Sequence, residues 1–384
     1  MIAEAGLRVR LALRADRIAA VVITGTRIAL PERLTRGRSA DEVQQIVPCL
    51  YSLCTHAQGA AAAAALAAAR GLEADEATLA QRNATVRHEA VLESITRLLI
   101  DWPPLYDEAP EVSTVAAVRR LHPVGDDRAT LRTTAGESIY GCDPDRWIAD
   151  RSLASLDRWC DAVRTLPARL MRCMRDATPD APGARLPQLP LLPEVDAAIA
   201  VEIASRLGAE PGYALKPDWR GVPAETGALA RQSSDPLVAA FVTRHGTGAA
   251  ARLLARLVEL AGWLGDDRDS RPPVRQQQLD EVTGIGLVET ARGLLLHRAV
   301  VRDGRVADFR ILAPTEWNFH PDGALVQGLR GCVAPDAANA RRQAQRLAQS
   351  LDPCVALKVE VDVEGEAEVE PATGVGPVAA ASHA

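Results

Sequence analysis

Leu7, Val9, Leu11 and Leu13 fall at every second position, the spacing of a strand with one buried face. Ile18 to Ile23 forms a second apolar run, and Ala15-Asp16-Arg17 between the two predicts a turn. After a proline and charged stretch from Pro31 to Arg38, the apolar spacing becomes helical from Asp41 to about Leu72, with Ser39 or Asp41 as the N-cap. A second helix is predicted from about Thr78 to Ile100. It stops at Trp102-Pro103-Pro104, because proline has no amide hydrogen to give and disfavours helix in the residue before it. Residues 113–121, 144–166, 193–207 and 235–264 are further helical candidates. The Pro- and Gly-rich connectors between them are too short to demand a domain boundary. Near residue 286 the pattern changes to strands, with Gly293 to Val301 and Val306 to Leu312 flanking Asp303-Gly304, a hairpin signal. Ala337 to Leu351 reads as a helix closed off by Pro353. Beyond about Val361 the chain is acidic, then rich in Ala, Gly, Pro and Val without periodicity, which predicts a flexible, solvated tail.

Composition narrows the class. Aromatic residues are only 3% of a chain that is 47% hydrophobic, so burial rests on aliphatic residues and alanine, as in closely packed helices. The Ala-rich stretch Ala57 to Ala69 reads as a buried or partly buried helix. No run of apolar residues is long enough for a membrane span, and no secretory signal opens the chain. The net charge of -6 argues against nucleic-acid or anionic-membrane binding. Seven cysteines, an odd number, are spread along the chain, which predicts free thiols in a reducing cytoplasm.

Two thiol segments are candidate chemistry: Pro48-Cys49-Leu50-Tyr51-Ser52-Leu53-Cys54-Thr55-His56, and Asp352-Pro353-Cys354. Each is weak by itself. The Cys49, Cys54, His56 spacing is not a standard zinc pattern, and a lone cysteine after Asp-Pro is equally a packed thiol. Five helical steps separate Cys49 from Cys54, about 140° of rotation, so only an irregular turn brings both sulfurs to one metal. Cys142, Cys160, Cys173 and Cys332 follow no pattern and read as packing residues.

With their flanks, these segments resemble nickel–iron hydrogenase large subunits. That family carries Cys-x-x-Cys-x-x-x-His near its N-terminus and Asp-Pro-Cys-x-x-Cys-x-x-His near its C-terminus. The four thiolates hold nickel and an iron that bears cyanide and carbon monoxide. Glu4-Ala5-Gly6-Leu7-Arg8, Gly37-Arg38-Ser39-Ala40-Asp41, Glu289-Thr290-Ala291-Arg292-Gly293 with His297, and Pro314-Thr315-Glu316-Trp317-Asn318 resemble further family segments, in the family's order. The resemblance covers about residues 1–105 and 280–360 and implies an α+β, mainly helical fold with small β regions near both ends. It further implies one domain over residues 1–360, with a tail over 361–384, because the two ends must meet at one site.

The departures bear on function. Without gaps, Cys354 takes the first cysteine's place in the C-terminal motif, Leu357 the second's and Glu360 the histidine's. With His56 aligned to the family histidine, Cys49 takes the first position, Ser52 the second, and Cys54 is extra. Kept flanks with lost ligands resemble the HupK/HoxV family of hydrogenase accessory proteins. The resemblance implies a non-catalytic scaffold. Such a protein transiently accepts iron with its cyanide and carbon monoxide from HypC/HypD-type assembly proteins and passes it toward the hydrogenase large-subunit precursor, with no complete nickel site. The expected metal ligands are Cys49, Cys54 and Cys354, with Arg292, Glu4, His56 and Asp352 around the cargo. Arg292 is expected to favour cyanide by charge-assisted hydrogen bonding and to lower nearby thiol pKa values. Each residue also has a plainer reading: inert core thiols, a helix histidine, a surface glutamate, an N-cap or turn aspartate, a structural ion-pair arginine. The rival functions are a metal-free interaction protein of the maturation machinery and a degenerate hydrogenase.

Overall fold

The two ends of the chain meet in one sheet. In the computed structural model, which describes residues 6–26, 30–122, 126–176, 190–265 and 273–363, strand Gly6–Arg14 pairs antiparallel with Arg17–Thr26 and parallel with Ala356–Val363. Gly6 stands opposite Ala356, and Leu13 opposite Val363. Ala15 and Asp16 turn the hairpin at φ 45° and 62°, the left-handed pair that a tight two-residue connection requires. Val9, Leu11 and Ile18 pack with Leu325, Leu347 and Leu351, from helices Ala324–Leu329 and Ala337–Ser350 and the residue that follows them. The closing strand runs three residues past the expected tail boundary at 360, because it matches the length of the strand it pairs with.

A four-stranded antiparallel meander follows the order Val274–Gln278, Thr283–Thr290, Gly293–Arg302, Arg305–Leu312. It is covered on both faces. Val288, Leu295, Ala299 and Phe309 meet helix Thr55–Ala69, while Ile285, Leu287, Leu294 and Leu296 meet helix Ala197–Ala209. Double burial explains why the two central strands read as apolar runs and not as alternating ones. The first strand was not expected. Its Arg275-Gln276-Gln277-Gln278 is polar because it lies at the sheet's edge.

Alanine has a specific task here. A Cβ built on Gly286 would stand 2.1 Å from the Ala61 carbonyl oxygen, and one on Gly284 would stand 2.2 Å from the Ala69 nitrogen. Helix backbone therefore lies directly on strand backbone, which only glycine below and alanine above allow.

The expected helix from 41 to 72 is two helices, Ala40–Cys49 and Thr55–Ala69. The first opens with a capping box between Ser39 and Glu42, and Pro48 sits in its last turn. The candidate over 235–264 is likewise divided, into Pro236–His245 and Ala249–Leu264, at Gly246 with φ 76°. Helices Asp126–Ala135 and Leu166–Arg175 add to the helical body, whose centre is Ala249–Leu264, buried on nearly every side. Among the described residues no helix is long and apolar enough to cross a membrane.

Gly286→Val should destabilise the chain by about 2–3 kcal/mol or more, since the strand and the Ala-rich helix must separate. Urea unfolding checks this, and a change within about 0.5 kcal/mol, the range of ordinary surface substitutions, would contradict the backbone contact.

Candidate metal-binding site

Leu50 to Cys54 is the break between the two N-terminal helices, and it delivers Cys54 as the N-cap of the Ala-rich helix. Cys54 makes no capping bond there. Glu89, from helix Glu76–Thr96, does that work: its carboxylate accepts from the His56 and Ala57 amides at 2.8 and 3.0 Å. The Cys54 sulfur is thereby free to face the other end of the chain. It lies within electrostatic range of Cys354 and Arg292. Cys354 stands two residues before the closing strand, its Sγ 2.8 Å from the Thr315 hydroxyl. Burial pushes the Cys54 thiol up to about 12, and the neighbouring Cys354 adds to the rise. Burial also raises Cys354, against the pull of Thr315 and Arg292. The expected downward pull of Arg292 is present on both thiols, and desolvation outweighs it.

Behind the thiols is a buried ionic cluster centred on Asp352. This residue has φ 58°, a left-handed conformation that non-glycine residues hold only under constraint. Arg256, from the central helix, donates to its Oδ2 at 2.7 Å. Arg97 Nε makes an ion contact with Oδ1 at 2.7 Å, out of hydrogen-bonding alignment, and Arg292 Nε stands 3.7 Å from the same oxygen. Burial opposes ionisation of Asp352, but these guanidiniums prevail and hold its carboxyl below the usual carboxylate range. Arg97 also donates to Asp101 at 2.7 Å and to the Pro353 carbonyl at 3.1 Å, so it grips the residue before Cys354. It begins a π turn, Arg97–Asp101, that continues helix Glu76–Thr96, a local widening often found at functional sites. Arg292 donates to Glu93 at 2.6 Å, while its buried Nε has no hydrogen-bond partner among the described residues.

Asn318 ties the walls together. Its side-chain oxygen accepts from the Thr226 amide at 2.9 Å, and its nitrogen donates to the carbonyls of Arg292 and Leu351, each at 3.3 Å. The turn that carries Arg292 is fixed locally, because Thr290 Oγ1 accepts from the Arg292 amide at 3.1 Å.

The structure therefore brings together Cys54, Cys354, Arg292 and Asp352 of the expected set. It does not bring Cys49, which is exposed at the end of its helix with its thiol donating to the Gln45 carbonyl at 3.4 Å. His56 is exposed and contributes only its backbone amide. Glu4 lies outside the described residues. Asp352 is neither an N-cap nor a surface turn residue; it is the buried anion of the cluster. Leu357 lies in the closing strand and packs, partly buried, against the core, and Glu360 pairs with Lys358 at 2.8 Å. Among the described residues no three or more His, Cys, Asp or Glu side chains gather into a metal-binding group.

The comparisons with known proteins follow the same fold. A family model described as nickel-dependent hydrogenase matches residues 227–360. The hydrogenase expression/formation protein HoxV of Cupriavidus necator is 33% identical over 88% of this chain and 92% of its own length. HupK of Azotobacter vinelandii, also named a hydrogenase expression/formation protein, is 31% identical over 90% of this chain and 96% of its own length. The chain belongs to the hydrogenase expression/formation proteins of the HupK/HoxV family. Among solved structures it is similar to the nickel–iron–selenium hydrogenase of Desulfovibrio vulgaris Hildenborough, with a TM-score of 0.55 at 16% identity, covering 89% of this chain and 94% of that one. That likeness shows a hydrogenase large-subunit fold.

Several residues of this family member's site were not singled out from sequence: Glu93, Arg97, Arg256, Thr315 and Asn318. A signal existed. Glu93 and Arg97 interrupt an apolar stretch at one helical turn, as Arg252 and Arg256 do in the central helix, and a charge in a helix otherwise apolar all round must be paired inside.

Asp352→Asn should cost about 3–5 kcal/mol in urea unfolding, because it strands Arg256 as a buried charge and takes one of the two carboxylate partners of Arg97; a cost below about 1 kcal/mol would show that the cluster is not held as described. In the native chain, iodoacetamide should label exposed Cys49 and Cys173 well before Cys54 and Cys354, read by peptide mass spectrometry. Equal labelling of all four would contradict the lower exposure and raised pKa of the pair.

Proposed function

We propose that this chain serves the formation of a nickel–iron hydrogenase by holding one iron, with its cyanide and carbon monoxide ligands, between Cys54 and Cys354. It then passes this cargo to the large-subunit precursor. The observation that carries the reading is the pairing of two thiols, one from each end of the chain, beside a buried guanidinium with an unused donor. The names of the relatives support a role in hydrogenase formation.

The donor set suits such cargo. Soft thiolates match low-spin iron, and the raised thiols lose their protons when metal replaces them, so binding is coupled to proton release. Arg292 Nε supplies a charge-assisted donor for a cyanide nitrogen, and the Thr315 hydroxyl donates to the Cys354 sulfur once its proton has left. Two sulfurs also let go more readily than four.

The geometry also favours moving the first motif by two residues. Cys54 and Gln58 have the spacing of the family's second cysteine and histidine, and the Gln58 amide lies beside the Cys54 sulfur. Tyr51 then stands at the first cysteine's place, and Leu357, in the core, at the second cysteine of the other motif. A bridged nickel–iron pair needs four thiolates, and this set offers two, which supports a non-catalytic role. HypC/HypD-type proteins are the donors that this reading expects. The rival reading is a protein that docks on the maturation machinery without metal.

Anaerobic co-expression with the maturation partners tests the proposal. Iron and the infrared bands of bound cyanide and carbon monoxide should be present in the native chain and in Cys49→Ala, and lost from Cys54→Ala and Cys354→Ala. Bands at native strength in both of the latter would overturn the assignment. A native chain that carries the precursor but no iron would favour the rival.

A further inference from the structure

A buried polar chain runs from Cys54 into the sheet. Gln58, one helical turn after Cys54 and 2% exposed, donates from Nε2 to the Cys54 sulfur at 3.7 Å. Its Oε1 stands 2.8 Å from Nε2 of His297, which is 0% exposed. His297 projects from the strand Gly293–Arg302 with its ring edge-on to Phe309, centroids 5.4 Å apart. Directly across the ladder from His297 is Gly286, the position whose missing Cβ lets the helix close on the strand. Val288, Leu295, Ala299 and Phe309 lie on this face of the sheet.

In such a setting one proton sets the direction of the whole chain, because buried polar groups must pair. With hydrogen on Nε2, the imidazole donates to the Gln58 carbonyl, and the amide N–H points at sulfur. With Nε2 bare, the amide reverses, and its carbonyl faces the sulfur. Cys354, Arg292 and Glu89 also face Cys54, and none of them fixes the Gln58 amide.

We infer that His297 is a positioning residue for Cys54: as the Nε2–H tautomer it holds Gln58 so that an N–H is always aimed at the sulfur, steadying that sulfur as the thiolate that a metal needs. An N–H donated to a buried thiolate offsets part of its desolvation, and removing outer partners of this kind costs about tenfold or more in metal affinity. The inference rests on the reading of the thiol pair as a site that holds and releases a soft metal.

Nitrogen-15 NMR of the full, metal-free chain tests the positioning without any metal. His297 should be a neutral imidazole with hydrogen on Nε2, and its signal should move in Gln58→Leu. A bare Nε2 in the native chain overturns the inference. Cadmium supplies the second readout, its release timed by a chelator. Gln58→Leu and His297→Phe should release it about tenfold faster than the native chain, and His297→Gln, which keeps a donor near the Nε2 position, should restore the native rate. Native-like release from Gln58→Leu, with binding still dependent on Cys54, overturns the inference alone. Binding indifferent to both Cys54→Ala and Cys354→Ala overturns the metal-site reading instead, while the NMR result still decides the tautomer.

Discussion

The structure depends on one buried carboxylate. Asp352 gathers Arg256 from the central helix, Arg97 from the π turn and Arg292 from the sheet's hairpin. An ion taken out of water in this way loses several kcal/mol of hydration. The cluster persists only because each charge has an opposite within reach, Glu93 and Asp101 included. The left-handed turn at Asp352 is the local consequence. It redirects the chain after the terminal helix, so that Cys354 faces the site and Ala356 enters the first sheet. Removing the anion would strand Arg256, leave Arg97 and Arg292 with only Asp101 and Glu93, and release the turn that aims Cys354, which is why the cluster and the site form a single unit.

That arrangement also sets the chemistry of the pair. The same burial that makes the ion cluster strong keeps both thiols protonated in the absence of metal. On the proposed reading, a soft metal would displace two protons and be held by charge inside the pocket, and protonation would return the thiols to their neutral state. Each sulfur has its own outer partner, Gln58 for Cys54 and Thr315 for Cys354.

Much of the fold was legible. The hairpin at Ala15-Asp16, the long second helix and the hairpin at Asp303-Gly304 follow from period and turn chemistry. The meeting of the ends followed only from resemblance, since no local pattern encodes a parallel pairing between residue 6 and residue 356. Cys354, Arg292 and Asp352 were found through their motifs. The choice between Cys49 and Cys54 was not legible, because helical periodicity runs through Leu50 to Cys54 while the chain breaks there. His56 misled for the same reason: an alignment on histidine shifts the motif, whereas Gln58 is the side chain that stands beside the sulfur. The ionic cluster escaped notice because its charges come from four separate segments, and only tertiary packing shows that they compensate one another.

The most direct test is iron X-ray absorption on the chain purified without oxygen after co-expression with its maturation partners. The proposed thiol site requires iron with a shell of two sulfurs and short bonds to carbon, the sulfur shell diminished when either Cys54 or Cys354 is replaced by alanine. Iron bound only through nitrogen and oxygen, or a sulfur shell unchanged by both replacements, would contradict it.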